Sequence, residues 1–202
     1  MALMEEQVKI FDRIGIDFQK ESILKRHPFS NWIKDEHFKE KLEKLADKTE
    51  EKVKSYISPK AIIHILPRRE PSLNEYAPPE LLKSDYLVLG VVTIGEQADK
   101  TPKGANLFES LVTDALKNVA LIQAERKVVE FIMEIAEREK LNTTRIIPPG
   151  SGRTRWGIEN QEFIFKNQQA EKNRGPTKPQ LCDEAEKIAF LYHRSRARYQ
   201  AG

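Results

Sequence analysis

The sequence predicts an α+β (mixed α/β) domain in which helices pack on a small sheet. Three observations lead there. "YLVLGVVTIG", residues 86 to 95, is an almost wholly apolar strand, so both of its faces should be covered and it should lie centrally in a sheet. Residues 18 to 56 and 107 to 140 carry apolar side chains at helical spacing. The expected order is helices, strand, strand, long helix, strand, helix, helix, which neither an all-α nor an all-β architecture accommodates.

The elements follow in order. Phe18, Ile23 and Leu24 open the first helical region, and Phe38, Leu42, Leu45, Val53 and Ile57 fall near one face of its continuation, with Asp35 and Asn31 as N-cap candidates. Pro59 cannot continue a helix, and "AIIHIL" after it reads as a short buried strand closed by Pro67. Residues 68 to 85 form a polar, proline-bearing connection to the apolar strand. Gly95 ends that strand, and "EQADKTPKGAN" follows as a loop or short helical turn. Asn106 caps a long helix with Leu107, Leu111, Ala115, Val119, Ile122, Val129, Ile132 and Ala136 along it. Unbroken to Lys140 it would reach about 50 Å, which predicts a bend or break between Lys117 and Gln123. "NTTRIIP" is a third strand, "GIENQEFIFKNQQAEK" a further helix and "NRGPTKP" a linker. Leu181, Ala185, Ile188 and Tyr192 give the C-terminal segment helical spacing. Together these make one domain over residues 1–202: a helical N-terminal part (1–58), a core (59–172) and a C-terminal segment (173–202).

The chain has 202 residues, 39% hydrophobic and 32% charged, the balance of a soluble globular domain. Its 34 basic and 31 acidic residues leave a net charge of +3, too even to argue for nucleic acid. No apolar run suits a membrane span, the acids near the start do not suit a signal peptide, and one cysteine, Cys182, cannot form an internal disulfide. A cytoplasmic location is expected.

"TTRIIPPGSGRTRWGIENQ", residues 143 to 161, is the segment with chemical potential. Pro148 and Pro149 stiffen the chain and remove two amide donors, while Gly150 and Gly152 leave the backbone bare. Arg145, Arg153 and Arg155 supply planar cationic forks suited to carboxylates and phosphates, and Trp156 supplies a stacking face. Such a loop could hold a polar, partly anionic small molecule through main-chain amides. Pro-Pro-Gly is also an ordinary way to turn from strand to helix, and the residues alone place that structural reading first. The segment has no Gly-Lys-Ser/Thr ending and no dinucleotide-type glycine spacing. His64 reads as a structural histidine, His27 and His37 form no metal pair, and Cys182 with His193 lacks zinc spacing. Asp114 and Glu125 read as surface or cap-side charges on the long helix. The "RSRARYQ" tail reads as a solubilising terminus.

"YLVLGVVTIG", "NLFESLVTDALKNVALIQAERKVVEFI" and "TTRIIPPGSGRTRWGIENQEFIFKNQQAEK" together look like the activation (reactivation) domain of cobalamin-dependent methionine synthase, and most like its short stand-alone bacterial form. The resemblance covers roughly residues 8 to 172. It implies a twisted, mainly antiparallel sheet with helices packed on it and S-adenosylmethionine bound on the sheet surface. It implies a partner, a corrinoid-binding protein or methionine synthase catalytic subunit, which holds the cobalamin. In the family an electron from a flavodoxin-like reductase converts Co(II) to Co(I), and the bound S-adenosylmethionine remethylates it. The domain itself positions the methyl donor and is not expected to catalyse alone.

Carried onto this chain, the resemblance implies a cofactor-binding set of Arg145, Pro149, Gly150, Ser151, Gly152 and Arg153. Only Pro149, Gly150 and Gly152 match the family pattern directly. Ile146 stands where the family has its arginine, with Arg145 one residue off, and Ser151 replaces a tyrosine. Ile122 or Gln123 stands where the family has a helical glutamate, with Glu125 out of register; Asp114 matches the helical aspartate. Family members end in a strand beside the ligand, where the spacing here predicts a helix. A second reading is therefore an interaction module that keeps the fold and docks on a corrinoid protein without binding S-adenosylmethionine. An unrelated enzyme built on Cys182 or His193 has no support from spacing.

Overall fold

In the computed structural model, residues 6–25, 29–67, 84–99, 106–144, 146, 147, 149, 150, 156–161, 163, 164 and 188–195 are described. The fold is α+β. Five strands form one sheet: β1 (Gln7–Phe11), β2 (Lys60–Pro67), β3 (Tyr86–Thr93), β4 (Asn142–Thr143) and β5 (Ile188–Ser195). Their spatial order is β1-β2-β3-β5-β4, and every pairing is antiparallel. The helices are α1 (Lys20–Leu24), α2 (Phe29–Trp32), α3 (Glu36–Tyr56) and α4 (Leu107–Arg138).

β3 is buried along its whole length, as its unbroken apolar run requires, and occupies the middle of the sheet. Alternation along the strands sorts their side chains into two cores. Ala61, Ile63 and Ile65 of β2, with Tyr86, Val88 and Val92 of β3, join the helices in the larger core. Ile62 and Leu66, with Leu87, Leu89 and Val91, form a smaller core on the opposite face, closed by Ile147, Trp156 and Ile164.

Four expectations are corrected. β1 is an additional strand, pairing Gln7 with Ile65 and Phe11 with Ala61. The C-terminal segment contributes a strand where a helix was expected: β5 lies between β3 and β4, pairing Leu191 with Leu89 and Arg194 with Thr143. α4 runs unbroken for 32 residues, with no interruption between Lys117 and Gln123, because its buried face is continuous from Val112 to Ala136. Among the described residues of "NTTRIIP", only Asn142 and Thr143 are strand.

The N-terminal helical region divides into α1, α2 and α3. Asn31 falls inside α2 and is not a cap. Asp35 is one: its Oδ1 accepts from the amides of His37 and Phe38 at 2.9 and 3.1 Å. Asn106 caps α4 through a reciprocal capping box with Glu109. Asp35→Ala should lower stability by about 1 kcal/mol, the usual cost of losing an N-cap oxygen. Urea denaturation of the pair checks it, and an unchanged midpoint would contradict the capping role.

β1 is held from two sides. His64 is buried, and its Nε2 stands 2.6 Å from Glu6 Oε1, linking the start of β1 to β2. Phe11 meets Phe131 of α4 edge-on at 5.2 Å. Beyond β1 the amide of Asp17 donates to Gln123 Oε1 at 2.9 Å, and Gln123 Nε2 donates back to the Asp17 carbonyl. Gln123, at the centre of α4, thus fastens the connection from β1 to α1.

Candidate functional site

The candidate turn begins where β4 ends, on the outer edge of the sheet beside β5. Ile146 leans toward the helical core, and Ile147 is buried in the smaller core across the sheet. Pro149 is buried and Gly150 is exposed. Gly150 has φ of 75°, a backbone conformation that side chains with a Cβ rarely adopt. Its N–H donates to the Trp156 carbonyl at 2.8 Å, which closes a loop between those residues. A Cβ at Gly150 would stand 3.1 Å from Ile158 Cβ, so the space beside this glycine is filled by the chain itself.

Trp156 is 3% exposed and packs among Leu87, Leu89 and Val91. The stacking face assigned to it from sequence is corrected: the indole anchors the loop to the sheet. Burying so large a ring is favourable enough to override an exposed role. After it, Ile158–Asn160 forms a 3-10 turn, and Ile164 returns to the smaller core. Ile147, Trp156 and Ile164 therefore pin both ends of the loop against the sheet.

The donor inventory is short. Pro148 and Pro149 carry no N–H, and that of Gly150 is engaged within the loop. Main-chain binding of a guest would fall to Ser151, Gly152 and Arg153. These, with Arg145 and Arg155, lie outside the described residues, as do His27 and Cys182. The described part of the turn thus supplies a frame whose own amide is already used.

The other candidates separate. Asp114 is exposed and sits 3.6 Å from the ammonium of Lys117, itself largely buried. Burial, followed by the charge of Asp114, pushes the Tyr56 phenol above its ordinary range, and its hydroxyl has no hydrogen-bond partner. Glu125 is half-buried rather than a surface charge, and desolvation pushes its carboxyl up against the opposing pull of Arg126. His37 lies in the first turn of α3, and His193 lies in β5, opposite Leu87. Among the described residues no three His, Cys, Asp or Glu side chains gather as a metal site. No described helix is long and apolar enough to cross a membrane. Comparison of the chain with protein-family models and with curated proteins finds no match.

Proposed function

We propose that this chain is a cytoplasmic accessory protein of corrinoid-dependent methyl transfer, similar to the S-adenosylmethionine-binding domain that supports reactivation of cobalamin-dependent methionine synthase. The observation that carries the reading is β5. The family resemblance requires a terminal strand completing the sheet beside the turn, and β5 lies between β3 and β4, which leads into that turn. The antiparallel sheet, the long capped helix after the central strand and the positive φ at Gly150 agree with it. The protein's part is to hold a ligand and a partner in register, with cobalamin carried by the corrinoid protein and electrons supplied by a flavodoxin-like reductase.

Isothermal titration of the full chain with S-adenosylmethionine tests the ligand half. Saturable heat is expected, with affinity reduced about tenfold or more in Arg153→Ala, the loss expected when one charge-assisted hydrogen bond is removed. Titration of Arg145→Ala alongside separates the two arginines. Absence of heat from the wild-type chain removes S-adenosylmethionine from the proposal.

One observation favours the second reading, an interaction module that binds a corrinoid protein and no methyl donor. The Gly150 amide is committed to Trp156, and Ile158 fills the adjacent space. Capture of a purified corrinoid protein by the same titration-silent chain would select this reading. Failure of both experiments would remove the functional assignment altogether.

A further inference from the structure

On the helical side of the sheet, remote in the fold from the core that holds Trp156, the starts of α3 and α4 meet α2. They enclose an open pocket of about 460 Å³ lined by Asn31, Trp32, Lys34, Asp35, Phe38 and Phe108. The volume lies within the range of small-molecule sites, roughly 300 to 1,000 Å³, which combine an apolar lining with a few polar groups. Three elements each supply one ring. Trp32 and Phe38 meet at 5.4 Å and 77°, Phe38 and Phe108 at 5.4 Å and 70°, and Trp32 and Phe108 at 6.1 Å and 38°. Phe29, almost wholly buried, backs Trp32 at 5.7 Å and Phe108 at 6.4 Å. The rings brace one another, so the floor is formed in advance of any guest. Trp32 remains 37% exposed and offers a face for a further ring.

The rim decides the charge of the guest. Three described carboxylates near the pocket are already engaged, and the charge of Asp35 is held at the positive N-terminus of α3. Asp35 accepts the amides of His37 and Phe38, Glu36 pairs with Lys39 at 3.3 Å, and Glu109 accepts the amide of Asn106. Among the described residues, the side chains of Lys34 and Asn31 make no hydrogen bond or ion pair. Among the described lining residues, the uncommitted polar groups over the aromatic floor are thus one ammonium and one carboxamide. Their complement is an anionic substituent on a flat ring.

We infer that this pocket binds a planar aromatic small molecule bearing an anionic group, with the ring against Trp32, Phe38 and Phe108 and the anion at Lys34. The site is separate from the turn at Gly150, so it stands whether or not the chain binds S-adenosylmethionine.

Two dyes sharing one ring system test it, 8-anilinonaphthalene-1-sulfonate and its uncharged analogue N-phenyl-1-naphthylamine. Each is titrated into the full chain and followed by dye fluorescence and by quenching of Trp32, since Trp156 is buried elsewhere. One saturable site is expected, tighter for the sulfonate. Phe108→Ala should weaken both dyes by about tenfold. Lys34→Glu, at an exposed position, should weaken the sulfonate by about fivefold and leave the neutral dye unchanged. Equal loss of both dyes in Lys34→Glu, unchanged affinity in Phe108→Ala, or no saturable site for either dye overturns the assignment. A Trp32 emission that shifts with protein concentration alone overturns it too, by making a second copy of the chain the occupant.

Discussion

Trp156→Ala should lower the free energy of unfolding by about 3–5 kcal/mol, the range for removing a large ring from a packed core. The indole is 3% exposed, and its neighbours Leu87, Leu89 and Val91 lie on one face of the central strand. Truncation would open a cavity against that strand, and it would loosen the frame of the loop that Gly150 closes on the Trp156 carbonyl. The total stability of a domain is commonly about 5–15 kcal/mol, so the variant should be only marginally folded. Urea denaturation followed by circular dichroism gives the number. The sequence-based role for this residue predicts the opposite pattern, with stability nearly unchanged and ligand affinity lost. A loss below about 1 kcal/mol would restore that role and contradict the packing described above.

The contrast shows where pattern reading succeeds. β2, β3, α3 and α4 were legible because each is long or uniform enough for its period to speak, and because Asp35 and Asn106 announce two helix starts chemically. β1 was not legible. "QVKIF" is five residues on a sheet edge, mostly exposed, and its strand character comes from pairing with β2 rather than from its own pattern. β5 was misread because "IAFLY" is a short apolar run consistent with either period. The exposed β3 edge, which a sequence does not display, selects the strand. The expected break in α4 rested on length alone, and continuous burial along the helix removes the need for it.

The candidate turn was legible as backbone and not as environment. The positive φ of Gly150 was readable from the glycine and the prolines before it. That its amide closes on a carbonyl six residues later, and that Trp156 turns inward, depend on the smaller core, whose members come from three separate stretches of chain. The aromatic pocket escaped for the same reason. Trp32 and Phe38 sit on separate helices and Phe108 comes far later in the chain, and each alone reads as an ordinary helix residue.

Leu191→Pro should abolish the cooperative unfolding transition. Leu191 pairs with Leu89 at the middle of β5, which has neighbours on both sides, and proline is tolerated in sheets only at edges, strand starts and bulges. Loss of β5 would leave β3, buried along its whole length, with an unpaired edge, and would deprive β4 of its pairing strand. An exposed apolar edge of that kind templates association with other chains, so the variant should also aggregate. Proline would damage a helix equally, so the decisive measurement is amide hydrogen exchange on the unaltered protein. With β5 in place, β3 is bonded on both sides, and its amides from Leu87 to Val92 should all exchange slowly. If the C-terminal segment were a helix lying off the sheet, alternate amides of β3 would face outward and exchange fast. That alternating pattern would remove β5, and with it the observation on which the functional proposal chiefly rests.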